Sequence, residues 1–231
     1  MASSPELDLG IVGCGTMGRG IAQIAAQAGI AVRLFDARPE GAKEARAAIA
    51  ETLAKLAAKG KMAAAEVEAT TGRLTVCGEL DAMAGCDVVV EAIVEDLEAK
   101  RDLFRKLGSI VGTDCILATN TSSLSVTAIA AGLARPERVA GFHFFNPVPL
   151  MKIVEVVAGL RTDPAVADHL LALGQRMGHT AVHAKDTPGF IVNHAGRGFG
   201  TEGLRILAEG VTTFAELDRI LRDTAGFKLG P

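Results

Sequence analysis

The sequence predicts an α/β protein: a mostly parallel sheet with helices on both faces, followed by the start of an all-α second domain. Three observations carry this expectation. Short apolar runs alternate with longer segments rich in Ala, Gln, Lys and Glu. The first run ends in a glycine turn, Gly13-Cys14-Gly15-Thr16-Met17-Gly18, that opens a helical segment. Beyond about residue 185 the alternation stops and only helical patterns follow.

Leu7 to Val12 reads as a strand, and Thr16 to Ala28 as a helix stopped by Gly29. Ile30 to Phe35 is a second strand, ending at Asp36. Residues 39–59 read as a long helix beginning near Pro39, and residues 62–71 as another. Leu74 to Cys77 is a short strand, and Val88 to Ala92 a fully apolar one closed by acids. After a helix over 96–107, the strand Cys115 to Ala118 runs into Asn120-Thr121-Ser122-Ser123. Val139 to Phe145 is stopped by Asn146-Pro147-Val148-Pro149. Ile153 to Val157 and Thr180 to His183 are further strands, flanking a helix from Pro164 to Met177. The pattern changes at Lys185-Asp186-Thr187-Pro188-Gly189, which divides the chain into domains at 1–185 and 186–231.

Composition narrows the function. The 231 residues carry a formal net charge of -3, with 49% apolar and 22% charged residues. That balance gives no reason to expect nucleic acid or an anionic membrane as partner. No apolar run is long enough to span a bilayer. Met1 to Glu6 lacks the basic and apolar regions of a signal peptide and reads as a short disordered tail on a cytoplasmic protein. Cys14, Cys77, Cys86 and Cys115 form no CxxC pair, so a metal site and a disulfide framework are not expected. Cys77, Cys86 and Cys115 read as small core residues. Tyr and Trp are absent, which excludes reductases that use a Tyr-Lys pair.

The glycine turn has the context of a dinucleotide site: strand before, helix after, second strand, then an acid. Gly13 permits the tight turn, Gly15 lets the backbone approach a pyrophosphate, and Gly18 lets the helix pack close to the strand. The helix N-terminus, with Thr16 and Met17, offers N–H groups and a positive dipole end to phosphates. Asp36 can accept both adenosine ribose hydroxyls and would repel a 2′-phosphate, which favours NAD over NADP. Arg38 argues mildly the other way, since a nearby Arg can accommodate that phosphate. These features make the sheet a Rossmann-type fold.

Four further segments resemble the L-3-hydroxyacyl-CoA dehydrogenase family, 3-hydroxybutyryl-CoA type. They are Val90-Glu91-Ala92-Ile93-Val94-Glu95, Asn120-Thr121-Ser122-Ser123-Leu124, His143-Phe144-Phe145-Asn146-Pro147-Val148-Pro149 with Glu155, and Asp186-Thr187-Pro188-Gly189-Phe190-Ile191-Val192-Asn193. Order and spacing agree over nearly the whole chain. The stretch from Asn193 to Gly230 looks most like long bacterial members associated with phenylacetate breakdown. The resemblance implies NAD as cofactor, an acyl-CoA thioester as substrate and a place in fatty-acid metabolism.

The chemistry reads beside the resemblance. Oxidising a secondary alcohol needs a base for the hydroxyl proton, and His143 suits that role because imidazole titrates near neutral pH. Glu155, on a strand able to return antiparallel, would fix the tautomer and stabilise the imidazolium. The alternative for His143 is a structural histidine at a strand end. Ser122 matches the family position that hydrogen-bonds the reacting oxygen; alternatively it caps the next helix, a task Ser123 or Ser125 could also perform. Asn193 matches the residue that approaches substrate from the second domain. Glu95 and Lys100 match positions near the nicotinamide ribose and the CoA side of the cleft; otherwise they are solvated charges near a helix start. Asn120 and Asn146 complete the cofactor-side set. His179 and His183, four residues apart on a strand, lie too far apart to share a metal.

The chain departs from the family at His194, where Arg is common, and it stops at Gly230-Pro231, where family members continue. It is therefore read as truncated in the second domain. Phe214, Leu217, Ile220 and Leu221 would then form an apolar stripe with little cover, met either by a homodimer or by the rest of a longer protein. Gly196, Gly198, Gly200 and Gly203 crowd a helix and suggest a close helix–helix or subunit contact. Two rival functions stay open: a dehydrogenase of free 3-hydroxy acids that uses a Lys, and a nucleotide-binding or structural relative without turnover.

Overall fold

The computed structural model describes residues 7–228 and residue 230. The expected tail, Met1 to Glu6, and Pro231 lie outside them. The chain divides into two compact units, one up to Thr187 and one from Pro188 onward.

In the first unit eight strands form one sheet: β1 (Asp8–Val12), β2 (Ala31–Phe35), β3 (Leu74–Val76), β4 (Val88–Glu91), β5 (Ile116–Thr119), β6 (Val139–Phe144), β7 (Ile153–Ala158) and β8 (Thr180–Lys185). Their order is β3-β2-β1-β4-β5-β6-β7-β8. The first six run parallel. β7 then returns antiparallel to β6, and β8 runs parallel to β7. Parallel neighbours need a long crossover, whereas the short Pro-rich link after β6 permits only a direct return.

Among the described residues, six α-helices belong to this unit: α1 (Thr16–Gln27), α2 (Gly41–Ala58), α3 (Ala64–Gly72), α4 (Leu97–Ile110), α5 (Val126–Ala130) and α6 (Pro164–Arg176). Local chemistry fixes their starts. Asp96 caps α4 by accepting from Ala99 N at 2.8 Å. Asp163 caps α6, with Pro164 in its first turn. Each such cap is worth about 1 kcal/mol. The helix expected from Pro39 begins instead at Gly41, because residues 36–40 form a turn closed by Gly41 N donating to Arg38 O. Two 3₁₀ segments, Leu80–Gly85 and Pro136–Arg138, are too short for a hydrophobic period to reveal.

Strand alternation sorts the side chains of the sheet onto two faces. Leu9, Ile11, Val32, Leu34, Val88, Val90, Ala118, Phe142, Phe144, Val154 and Val156 all join the core built with α1, α2 and α6. The alternate residues point to the other face. There, towards the strand ends, stand Glu91, Thr119, His143 and Glu155, all buried. A period of two thus places four polar side chains on one face, where an unpaired group would be costly.

All four cysteines are free thiols, and Cys14, Cys86 and Cys115 are buried. Burial pushes the thiols of Cys14 and Cys86 up to about 12, and that of Cys115 to about 11. Cys77 is only half-buried, because it follows the short strand β3 instead of lying within the sheet. His179 stands just before β8 with both ring nitrogens near carbonyls, Nε2 at 3.1 Å from Val148 O and Nδ1 at 3.2 Å from Met177 O. Among the described residues, no helix is long and apolar enough to cross a membrane.

The second unit holds α7 (Val192–Ala208) and α8 (Phe214–Asp223). Thr213 caps α8 by accepting from Glu216 N. The apolar stripe of α8 is partly covered: Leu217 is buried, while Phe214 and Ile220 are exposed. Leu217 and Leu221 line an apolar cavity of about 400 Å³ with Phe199 and Ile206 of α7.

Candidate active site

The strand order reverses beside β1, which has β2 on one side and β4 on the other. Ligands of open α/β sheets bind at such a point, outside the C-terminal strand ends. The glycine turn lies there. Gly13 has φ +92° and donates its N–H to Phe35 O at 2.9 Å. A Cβ on Gly18 would lie 1.9 Å from Gly13 O, so the first turn of α1 can approach β1 only with glycine there. A Cβ on Gly15 would meet no described atom within 4 Å, which leaves the approach to α1 open. No side chain caps α1 at Gly15, and its first turn carries no acid. Thr16 is exposed and Met17 half-buried at this opening.

Asp36 is more engaged than the sequence suggests. Its Oδ2 accepts from Cys14 N at 2.7 Å and its Oδ1 from Arg38 N at 2.9 Å. A side chain on Gly41 would strike the carboxylate at 2.5 Å. The carboxylate therefore ties the glycine turn to the end of β2 while keeping lone pairs for further donors. Arg38 is exposed and lies between two acids, 3.4 Å from Asp36 and 3.2 Å from Glu44.

Across the sheet, His143 and Glu155 are direct register partners on β6 and β7. His143 Nδ1 lies 2.7 Å from Glu155 Oε2, with the Glu155 side chain fully buried. A carboxylate can only accept, so the bond places the proton on Nδ1 and makes Nε2 the basic nitrogen. The ring of Phe145 packs on the imidazole at 4.4 Å between centroids.

Between these two sites lies a network that sequence reasoning underrated. Lys100, one of whose readings was a solvated charge, has a side chain only 1% exposed. Its Nζ lies 2.5 Å from Glu91 Oε1 and 3.4 Å from Glu95 Oε2. Glu91 also accepts from Thr119 Oγ1 at 2.8 Å and from Ile93 N at 2.7 Å. Glu95 Oε1 accepts from Thr121 Oγ1 at 2.6 Å, Ser122 N at 2.9 Å and Ser123 N at 3.2 Å. Burial pushes the Glu95 carboxyl up, but these hydrogen bonds and the Lys100 charge hold it below the usual carboxylate range. Lys100 is buried because α4 sets it over the polar ends of β4 and β5, where Glu91 provides the countercharge.

The same loop settles the capping alternatives. Ser125, not Ser122 or Ser123, caps α5, accepting from Ala128 N at 3.2 Å. Ser122 is exposed and faces a cavity of about 320 Å³ whose walls include Met17, Glu95, Lys100, Asn120, His143 and Asn146. Asn120 Oδ1 accepts from Phe144 N, locking the end of β6, and Asn146 precedes a cis proline. Asn193 stands in the first turn of α7, in the other unit, half-buried. Beside it, His194 Nδ1 lies 3.2 Å from Pro188 O. The sequence reading gave Glu91, Thr119 and Thr121 no role of their own, although Glu91 and Thr121 lie within the family-like segments and Glu91 closes an apolar strand.

Residues 8–187 match the family model described as 3-hydroxyacyl-CoA dehydrogenase, NAD binding domain. The chain belongs to the 3-hydroxyacyl-CoA dehydrogenase family. Residues 189–231 match the C-terminal domain of the same family. The chain is 44% identical over 221 residues to 3-hydroxyadipyl-CoA dehydrogenase of Escherichia coli K12, a match covering 96% of this chain and 46% of that protein. It is 41% identical over 221 residues to a probable 3-hydroxybutyryl-CoA dehydrogenase of Bacillus subtilis, covering 96% of this chain and 77% of that protein. A crystal structure of 3-hydroxybutyryl-CoA dehydrogenase from Escherichia coli K12 superposes with TM-score 0.95 at 43% identity, covering 99% of this chain and 48% of that one. The chain thus spans about half the length of the Escherichia coli relatives and about three-quarters of the Bacillus one.

NAD is the cofactor of this family's N-terminal domain, and the residues present fit it. The uncapped start of α1 suits a pyrophosphate, the space over Gly15 admits its approach, and the Asp36 carboxylate at the end of β2 keeps lone pairs that suit ribose hydroxyls.

Proposed function

We propose that this chain is the catalytic part of a dehydrogenase that oxidises the 3-hydroxyl of an L-3-hydroxyacyl-CoA to the 3-ketone. The observation that carries the proposal is the His143–Glu155 pair, 2.7 Å apart and buried, with His143 opening on the cavity that Ser122 also faces. The relatives' names point to 3-hydroxybutyryl and 3-hydroxyadipyl thioesters as the substrate class.

His143 acts as general base through Nε2, taking the hydroxyl proton as the C–O bond gains double-bond character. Glu155 holds the ring in the productive tautomer and offsets the imidazolium charge that develops. Ser122 hydrogen-bonds the oxygen that becomes the carbonyl, and Asn193 is the residue of the second unit assigned to the same oxygen by the family resemblance. Bound NAD supplies the hydride acceptor. Gly13, Gly15, Thr16, Met17 and Gly18 hold its pyrophosphate, and Asp36 its adenosine ribose. Glu95, Lys100, Asn120 and Asn146 line its nicotinamide side.

Four free thiols suit a reducing compartment, and we place the protein in the cytoplasm. A homodimer formed through the second unit belongs to the same proposal; Phe199, Leu204 and Phe214 are exposed there. The deciding experiment is NADH oxidation with acetoacetyl-CoA, by the 231-residue chain and by a version prolonged through the C-terminal domain. Turnover of the thioester that His143→Ala abolishes, with NADH binding kept, supports the assignment. Turnover of free acetoacetate instead of the thioester, or full activity without His143, overturns it.

A further inference from the structure

The cavity wall is held by two residues that no role so far requires. We infer that Glu91, assisted by Thr119, is a positioning residue for the cofactor side of the site, acting through Lys100. The inference rests on the dehydrogenase reading of the cavity proposed above.

Glu91 ends β4, a strand whose other residues are all buried and apolar. Its side chain is fully buried, and both of its oxygens are used. Lys100 Nζ at 2.5 Å and Ile93 N at 2.7 Å meet Oε1; Thr119 Oγ1 at 2.8 Å meets Oε2. Thr119 is Glu91's register partner on β5, so the carboxylate spans two adjacent strand ends. A buried ion pair of this kind is weak evidence for stability, since apolar side chains of similar volume commonly replace one without loss. Packing alone does not account for it.

Position does account for it. The Lys100 ammonium sits between two carboxylates, one fixed in the sheet and one at the cavity. Glu95, on the cavity side, accepts from Thr121, Ser122 and Ser123 and so sets the loop that presents Ser122. Lys100 and Glu95 both line the cavity, whereas Glu91 does not. Glu91 also fixes Ile93 N, shaping the turn whose Ala92 carbonyl would lie 2.7 Å from a Cβ on Gly13. One carboxylate thereby holds both the ammonium at the cavity and the turn that packs on Gly13.

The test compares Glu91→Gln, Lys100→Met, the double variant and Thr119→Val by direct NADH fluorescence titration and thermal melting. Glu91→Gln and Lys100→Met should each weaken NADH binding about tenfold, the scale of one lost charged hydrogen bond. Each should also lower Tm. In the double variant no buried charge is stranded, so Tm should recover while the NADH Kd stays within about twofold of Lys100→Met alone, because the Gln amide oxygen still accepts from Ile93 N and the lost charge acts through Lys100. Thr119→Val, the mildest change, should weaken NADH binding a few-fold with little change in Tm. The inference is overturned if Glu91→Gln binds NADH as the wild type does, if the double variant shows the product of the two single effects, or if affinity recovers together with Tm. Absence of NADH binding by the wild-type chain overturns the reading of the cavity itself, and the inference with it.

Discussion

His143 Nδ1 and Glu155 Oε2 lie 2.7 Å apart because the two residues face each other directly across the antiparallel strands β6 and β7. The pair needs no loop to position it; the sheet does so. His143→Gln should reduce kcat about 10²–10⁴-fold, the usual worth of a positioned general base, with NADH affinity nearly unchanged. Glu155→Gln should lower kcat in the same range with little effect on KM, since an amide can stabilise the wrong tautomer. Steady-state kinetics with acetoacetyl-CoA and NADH checks both, and wild-type kcat in either variant contradicts the assignment.

Gly15 and Gly18 separate cofactor binding from folding. Gly15 has φ -65° and open space around it, so Gly15→Ala should fold with unchanged Tm yet lose NADH affinity. Gly18→Ala places a Cβ 1.9 Å from Gly13 O and should lower both, with overpacking costing about 1–3 kcal/mol. Thermal melts read beside NADH titrations distinguish the two outcomes; equal loss of Tm in both variants would contradict this division.

Arg38 is drawn between Asp36 and Glu44, which on the proposed reading keeps it from a 2′-phosphate. Asp36→Ser removes the proposed ribose acceptor and frees Arg38 from one acid. NADH should bind about 10–100-fold more weakly, as expected for lost hydrogen bonds to a charged group of about 1.5–3 kcal/mol, and NADPH should gain relative to it. The ratio of the two dissociation constants is the measurement; an unchanged ratio counts against Asp36 as the determinant.

Asp186 ties the end of the first unit to α5, accepting from Ser125 Oγ, Val126 N and Thr127 N. Burial pushes its carboxyl up, but the hydrogen bonds from Thr127, Ser125 and Val126 outweigh this and hold it below the usual Asp value. A depressed folded-state value means the stabilisation is fully present above the unfolded value of about 3.9 and is lost as pH falls through the folded one. Urea melts of wild type and Asp186→Asn should differ at neutral pH and converge as pH falls below about 4. A gap that persists at low pH would show that the carboxylate charge is not its source.

On α7, side chains added at Gly196, Gly198 or Gly200 would meet no described atom within 4 Å. Gly200→Leu should therefore leave the unit folded, and helix propensity favours Leu over Gly by somewhat less than about 1 kcal/mol. If the glycines admit a second chain, the variant should shift sedimentation towards monomer. Unchanged assembly would remove that explanation for them.

The sequence by itself determined the strands and nearly all the helices, because the period of two, the period of 3.6, the caps and the glycines are local signals. It also determined the glycine turn, Asp36 and the family, because those motifs are contiguous or regularly spaced. It marked His143 and Glu155 and anticipated their pairing across an antiparallel return; the register of β6 against β7 supplied the direct 2.7 Å contact. Tertiary structure alone decided the state of Lys100. A lysine early in an exposed-looking helix reads as solvated, and nothing within α4 says otherwise. Its burial depends on Glu91 at the end of β4, itself held by Thr119 of β5, and a pairing between distant segments leaves no period to read. The capping question around Ser122 was settled in the same way. Ser123, Ser125 and Ser122 are chemically alike, and only the positions of α5 and Glu95 gave each its task.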